Sequence, residues 1–331
     1  MLSKRVVACL DVKDGELAKS IKFVDTKTIG DPVEKAKEYY EGGLDELVFY
    51  DITASSDKRN IMLDVVSEVA KQIFIPFSVG GGIRTLEDID ALLRSGVEKI
   101  NVNSAAVKRP ALINECAGAI GRQNTVLSMD VRRVDSVASC PSGFEIVING
   151  GRAPMGIDAV AWAKEGVARG AGELVVNSID GDGTRDGYDI LLTRTIAEAV
   201  PVPVVASGGA GHPEHLREVL TEGKADAALV ASMVHYGDFT IRDIKRYLHE
   251  QGVKVRLEFC TRSLIVNDSV EALEIKVSFQ DELLQQLDEA LGQQQQEILL
   301  LKEQLRVLSE QVRLLGDSEA KTSVEPPPPH Y

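Results

Sequence analysis

Pro76-Phe77-Ser78-Val79-Gly80-Gly81-Gly82 returns 127 residues later as Pro203-Val204-Val205-Ala206-Ser207-Gly208-Gly209. Each stretch is a short apolar run that ends in glycine, the pattern of a buried strand leading into a tight turn. The recurrence extends to both sides. Leu47-Val48 maps on Leu174-Val175, and Asn103-Ser104-Ala105 maps on Ala231-Ser232-Met233 at an offset of 128. A constant offset over so many segments predicts two half-chains of the same plan.

Working outward from the repeat, short apolar runs occupy 6–10, 46–50, 75–79, 99–102, 126–129, 173–177, 202–206 and 227–230. Amphipathic stretches with helical spacing lie between them, among them 32–42, 86–95, 157–169 and 213–222. Eight strand-then-helix units in about 250 residues predict an α/β fold, a (β/α)₈ TIM barrel built from two half-barrels of four units.

The C-terminal segment differs in kind. From Val270 to Leu315 a strict 3–4 spacing runs through 14 positions, of which 12 are apolar and two are Gln280 and Gln294. A period of 3.5 held over that length predicts an α-helical coiled coil over 270–316. The two glutamines would weaken the seam and help to fix its register. Residues 259–269 read as a linker and 317–331, ending in four prolines, as a disordered tail.

Charge narrows the function. The chain of 331 residues carries a net −14, and residues 265–331 account for −8 of it, with 13 acidic and 5 basic residues. No basic stripe argues for nucleic acid. No apolar run approaches the roughly 20 residues of a membrane span, and the first residues are too short for a signal peptide. The four cysteines are far apart and form no CxxC, so neither a disulfide framework nor a zinc site is predicted. A cytoplasmic enzyme is the expectation.

Two carboxylates stand out. Asp11 closes the first apolar run and Asp130 the fifth, matching places in the two halves. A carboxylate at the C-terminal end of a barrel strand points at the face where ligands bind, and two of them suit general acid–base work from opposite sides. The alternative is a capping or salt-bridged Asp, satisfied by Lys13 or Arg132. The glycine turns after strands three and seven, each beside a Ser-bearing strand end (Ser104, Ser232), offer two phosphate cradles, hence a long substrate with a phosphate at each end. Their alternative is a tight turn that needs glycine. Asp51, Asp180 and Asp182 are further strand-end carboxylates, and Lys19 lies in the long loop after strand one. At the opposite rim Arg5, Glu46, Lys99 and Glu173 begin strands one, two, four and six, which reads first as a stabilising plug of salt bridges. His212-Pro213-Glu214-His215 has no third ligand at suitable spacing, so no metal is expected. Trp162 reads as outer-layer packing.

These residues carry a resemblance. Residues 1–258 resemble the cyclase subunit of imidazole glycerol phosphate synthase, from histidine biosynthesis. The matching segments are Ala8-Cys9-Leu10-Asp11-Val12-Lys13-Asp14-Gly15, Asp45-Glu46-Leu47-Val48-Phe49-Tyr50-Asp51-Ile52-Thr53-Ala54-Ser55, Val79-Gly80-Gly81-Gly82-Ile83, Asn101-Val102-Asn103-Ser104, Ser178-Ile179-Asp180-Gly181-Asp182-Gly183-Thr184 and Ala206-Ser207-Gly208-Gly209-Ala210-Gly211. The resemblance implies a lyase that takes ammonia from a separate glutaminase subunit seated at the N-terminal face of the barrel. Its substrate would be the bis-phosphorylated ribulosyl-aminoimidazole carboxamide nucleotide, and its products imidazole glycerol phosphate and aminoimidazole carboxamide ribotide. It implies Asp11 and Asp130 as the acid/base pair, with Gly82, Asn103 and Ser104 at one phosphate. Asp182, Gly183, Gly209, Ala231 and Ser232 would hold the other, and Lys19 would be the mobile-loop lysine. Arg5, Glu46, Lys99 and Glu173 become the gate where ammonia enters, in place of a plug. No cofactor is implied. The first loop departs from the family, reading Lys19-Ser20-Ile21-Lys22-Phe23 where Lys-Gly is usual, which bears on loop closure and substrate choice.

The tail, from Glu274-Ile275-Lys276-Val277-Ser278-Phe279-Gln280-Asp281-Glu282 to Pro326-Pro327-Pro328-Pro329-His330-Tyr331, resembles the small bacterial SlyX family. The juncture reads as a fusion of two genes or of two reading frames, and a real fusion should make the barrel self-associate. Rival readings are the sister phosphoribosyl isomerase, a cyclase-like paralogue of surface-polysaccharide synthesis, and a coiled-coil assembly protein with no catalytic role.

Overall fold

The computed structural model describes residues 2–13, 15–21, 24–52, 62–135, 138–257 and Lys302; for 19–21 and 24–29 it describes the backbone alone. The chain divides into two units, Met1–Cys260 and Thr261–Tyr331. Apart from Lys302, the expected linker, coiled coil and Pro-rich tail lie outside the described residues.

The first unit is a closed barrel. Its strands, in chain order, are β1 Arg5–Lys13, β2 Glu16–Ile21, β3 Val24–Gly30, β4 Glu46–Asp51, β5 Phe77–Gly80, β6 Lys99–Val102, β7 Thr125–Arg133, β8 Phe144–Ile148, β9 Ala153–Asp158, β10 Glu173–Ser178, β11 Val204–Ser207 and β12 Ala227–Val230. Eight of them pair in parallel as β1-β4-β5-β6-β7-β10-β11-β12, and β12 pairs back on β1. Helices join successive barrel strands, so the expected TIM barrel is the observed one.

The repeat is visible in the backbone. β5 begins at Phe77 and β11 at Val204, two residues later than the apolar runs suggested. Pro76 and Pro203 have no N–H for the ladder. Their carbonyls instead accept from Leu47 N and Leu174 N, both at 3.0 Å.

Two expectations need correction. Asp11 and Asp130 do not close their strands: β1 runs on to Lys13 and β7 to Arg133. Beyond the barrel rim each strand turns from parallel partners to an antiparallel hairpin, β2–β3 on β1 and β8–β9 on β7. The "long loop" after strand one is therefore largely a hairpin, and Lys19 lies in β2, its backbone opposite Lys27. The run 16–30 hid its strands because Lys, Asp and Thr interrupt any alternation of apolar residues.

Two apolar layers hold the barrel. The larger lies between sheet and helices and includes Phe49, Leu92, Ile113 and Trp162, the last as expected. The smaller fills the lumen with Val7, Cys9, Val48, Val126, Val175, Val205, Ala227 and Leu229. Helix Ile241–Glu250 seals the junction of β1 and β4 through a buried ion pair. Lys245, fully buried, donates to Asp45 Oδ1 and to the Gly43 carbonyl, each at 2.6 Å. Asp45 Oδ2 in turn accepts from Val6 N at 2.8 Å. Burial pushes the Lys245 ammonium pKa down, against the pull of Asp45.

Breaking a buried pair from one side leaves an uncompensated charge, at a cost of about 3–5 kcal/mol. Lys245→Ala is thus expected to lower the urea unfolding midpoint of the barrel by that equivalent. A midpoint within the error of the parent would mean that the pair carries no stability.

Candidate active site

In a closed parallel sheet, alternate residues of every strand face the lumen. On β1 these are Arg5, Val7, Cys9 and Asp11; on β7, Val126, Ser128 and Asp130. β1 and β7 are four strands apart in either direction round the barrel, so Asp11 and Asp130 face each other across its mouth.

Their surroundings differ. Asp130 is 8% exposed, and both its oxygens are occupied. Oδ2 accepts from Asn103 Nδ2 at 3.0 Å and Oδ1 from Asn177 Nδ2 at 3.1 Å. Burial raises the Asp130 carboxyl pKa, against the two amides, which favour the carboxylate. Asp11 is only half-buried, and the Cys9 thiol donates to its Oδ1 at 3.2 Å. Asn177 was not singled out in the sequence. The signal was the inward register of β10, Glu173, Val175, Asn177, read two residues at a time. Its Oδ1 accepts from Ser207 Oγ at 3.1 Å, which ties the Asp130 support to β11.

The two glycine turns are built alike. A Cβ on Gly81 would lie 2.2 Å from the Asp51 carbonyl oxygen, and one on Gly208 would lie 2.7 Å from that of Ser178. Both have φ of +90°, so only glycine fits. Gly82 and Gly209 follow them, also with positive φ. The Gly209 carbonyl accepts from Gly187 N at 2.8 Å, fixing the turn against the loop that carries Asp182 and Gly183. Beside each turn a strand ends in the same uncommon backbone, Asn103 at φ −138°, ψ −103° and Ala231 at φ −140°, ψ −84°. Short helices Ser104–Lys108 and Ser232–His235 follow. Ser104 Oγ accepts from Asn149 N at 3.0 Å, so the tip between β8 and β9 reaches the first cradle. The side chain of Lys19 is outside the described residues.

At the strand starts the four charged residues meet. Arg5 reaches Glu46 at 2.5 Å and Glu173 at 3.2 Å, and Lys99 reaches Glu46 at 2.8 Å and Glu173 at 3.0 Å. The result is a ring of alternating charge across the lumen, its carboxylates buried. Burial pushes the Glu46 carboxyl up and neighbouring Glu173 adds to this, against Lys99 and Arg5. Burial opposes the Arg5 charge, but Glu173 and Glu46 outweigh it and raise the guanidinium pKa.

His212 and His215 serve the backbone. His212 Nδ1 accepts from Glu214 N at 3.1 Å as a helix cap, and His215 Nδ1 accepts from Gly211 N at 3.3 Å. Among the described residues no group of three or more His, Cys, Asp or Glu is arranged to hold a metal.

With the opposed carboxylates and paired cradles goes a match, over residues 5–240, to the family described as "Histidine biosynthesis protein". The chain belongs to this family. Among relatives, the "Imidazole glycerol phosphate synthase subunit HisF" of Desulfatibacillum aliphaticivorans is 61% identical over 256 residues, 77% of this chain and 98% of the relative. That of Desulfosudis oleivorans is 61% identical over 259 residues, 78% of this chain and all of the relative. That of Syntrophobacter fumaroxidans is 60% identical over 256 residues, 77% and 99% respectively. A second match, to SlyX, covers residues 266–331 and agrees with the coiled-coil pattern of that segment. The histidine-biosynthesis match thus spans all eight barrel strands, and the SlyX match lies beyond them.

Removing a donor from a carboxylate raises its pKa further. Asn177→Leu is expected to move the Asp130 titration midpoint, followed by carbon NMR of its carboxyl, to higher pH. A midpoint that stays put or falls would show that the amide does not govern this group.

Proposed function

We propose that residues 1–258 act as the ammonia-dependent cyclase of imidazole glycerol phosphate synthesis, a lyase. It would convert the bis-phosphorylated ribulosyl-aminoimidazole carboxamide nucleotide and ammonia to imidazole glycerol phosphate and aminoimidazole carboxamide ribotide. The observation that carries the reading is the opposition of Asp11 and Asp130 across the barrel mouth, between two cradles of the same build. The names of the relatives support it.

Closing an imidazole ring round the nitrogen of ammonia removes protons from that nitrogen, and releasing the second product breaks a C–N bond whose leaving nitrogen needs a proton. One group must accept and one must give. Asp130, buried with a raised pKa, suits the proton donor, and half-buried Asp11 suits the acceptor. Gly82 and Ser104 would hold one phosphate. Asp182, Gly183, Gly209, Ala231 and Ser232 would hold the other, with Lys19 closing from β2. Asn103 would stand with the first of these, and its side chain also binds Asp130.

Ammonia would arrive from a glutaminase subunit docked where the strands begin. Leu2 and Phe74, 91% and 81% exposed, precede β1 and β5 on that face and offer apolar contacts. The ring of Arg5, Glu46, Lys99 and Glu173 would be the gate between the partner and the lumen. The coiled coil over 270–316 would add self-association, after a linker over 259–269 and ahead of the tail over 317–331. The reading carries a cytoplasmic reaction; no described helix is long and apolar enough to cross a membrane.

Cyclisation with the bis-phosphate nucleotide and an ammonium salt tests the core of this. Asp11→Asn and Asp130→Asn are each expected to lose about 10²–10⁴-fold in kcat, and full activity in either overturns the assignment. In the parent, kcat should decline as pH rises through the Asp130 pKa, because the donor form is lost. Phe74→Asp should weaken the complex with the glutaminase in size-exclusion chromatography while sparing ammonium-driven turnover. An unaltered complex would exclude this face as the dock.

A further inference from the structure

The lumen changes character along its axis. Above the charged ring lies an apolar neck lined by Val7, Val48, Val126, Val175, Val205 and Leu229. The polar groups that follow it, below the level of the carboxylates, come from three strands. Tyr50 on β4 extends across the lumen, its hydroxyl 2.9 Å from Ser128 Oγ on β7. Ser128 Oγ also donates to Asn101 Oδ1 on β6, at 3.4 Å. The Tyr50 ring can lie there because residue 80 has no side chain: a Cβ on Gly80 would be 2.5 Å from the ring and 2.9 Å from the Asn101 Cβ. The ring packs on the apolar cluster from the mouth side, so it forms the floor of the pocket and the ceiling of the neck.

One group in this trio is unspent. Asn101 is 3% exposed, and its Nδ2 has no hydrogen-bond partner. A buried amide N–H without an acceptor costs free energy, about 1–3 kcal/mol, unless something fills the place. Burial pushes the Tyr50 hydroxyl far above its ordinary range, so it stays neutral.

We infer that Tyr50, Ser128 and Asn101 form a receiving station for ammonia at the head of the apolar neck, selective for the neutral amine over ammonium. This rests on the ammonia-using reading above and adds residues to it. Ammonia has one lone pair and three N–H groups. The Asn101 Nδ2–H offers a donor for the lone pair, and the Ser128 and Tyr50 oxygens accept from the N–H groups. Ammonium has no lone pair and would meet the Asn101 donor head-on, besides losing its hydration in the neck. A neutral molecule that gave up hydrogen bonds to cross the neck regains them at this station, one step below Asp11 and Asp130.

The test compares two routes to one product. With the glutaminase partner and glutamine, ammonia must cross the neck; with excess ammonium chloride alone, it enters at the open mouth. The readout is the ratio of glutamine-driven to ammonium-driven kcat. Asn101→Leu keeps the volume and removes the donor, and the loss of about 1 kcal/mol of hydrogen bonding should reduce the ratio about five-fold. Tyr50→Phe keeps the ring on Gly80, so the fold persists even if the first variant fails to fold, and it should reduce the ratio in the same direction. A ratio equal to the parent's in a folded variant overturns the station alone. A parent that turns over ammonium chloride but never glutamine, with the partner bound, overturns both the station and the ammonia route on which it rests.

Discussion

Side-chain alternation in a closed parallel sheet is the constraint on which the rest of this barrel depends. Because β12 pairs back on β1, every second residue of each strand is committed to the lumen. β1 spends these places on Arg5, Val7, Cys9 and Asp11, and β10 on Glu173, Val175 and Asn177. One residue of slip in either strand would send the charges into the apolar layer under the helices and bring leucines inward. The apolar residues between them, Val6, Ala8 and Leu10, are each buried to 0% exposure in that outer layer, and this holds the register. The same alternation then stacks charge, apolar neck, polar trio and carboxylates in one sequence along the axis.

That stacking gives each layer a distinct electrostatic setting. The ring of Arg5, Glu46, Lys99 and Glu173 carries no net charge and compensates its own burial through four short contacts. A buried ring of this kind adds little stability against an apolar alternative. At the other end the two aspartates occupy equivalent strands but unequal sites. Asp130 is enclosed by the amides of Asn103, just after β6, and Asn177 on β10, whereas half-buried Asp11 accepts from the Cys9 thiol. Pseudo-symmetry supplies the pair; its breakdown gives the two carboxylates different burial and different hydrogen-bond partners.

Much of this was legible in the chain. The recurrence of Pro76–Gly82 at Pro203–Gly209 marked the half-barrels, since proline, strand and glycine turn are each set locally. The glycine turns were legible for the same reason: a backbone at φ +90° against a carbonyl admits no other residue. The hairpins β2–β3 and β8–β9 were not, because their residues alternate poorly and their pairing depends on β1 and β7. Nor was the commitment of Asn103 to Asp130, since a strand-end asparagine looks the same whether it faces a phosphate or a carboxylate.

By itself the sequence determined the eight units, their two-fold plan, the positions of Asp11 and Asp130 and the heptad pattern of the C-terminal segment. Those are matters of period and local backbone, which neighbours in the chain dictate. Only the tertiary structure decided that Asn177 and Ser207 support Asp130, that Lys245 closes the barrel on Asp45, and that Tyr50 crosses to Ser128 with Asn101 beside it. Each of these joins strands or helices distant in the chain, and only closure of the sheet brings such side chains within hydrogen-bonding distance.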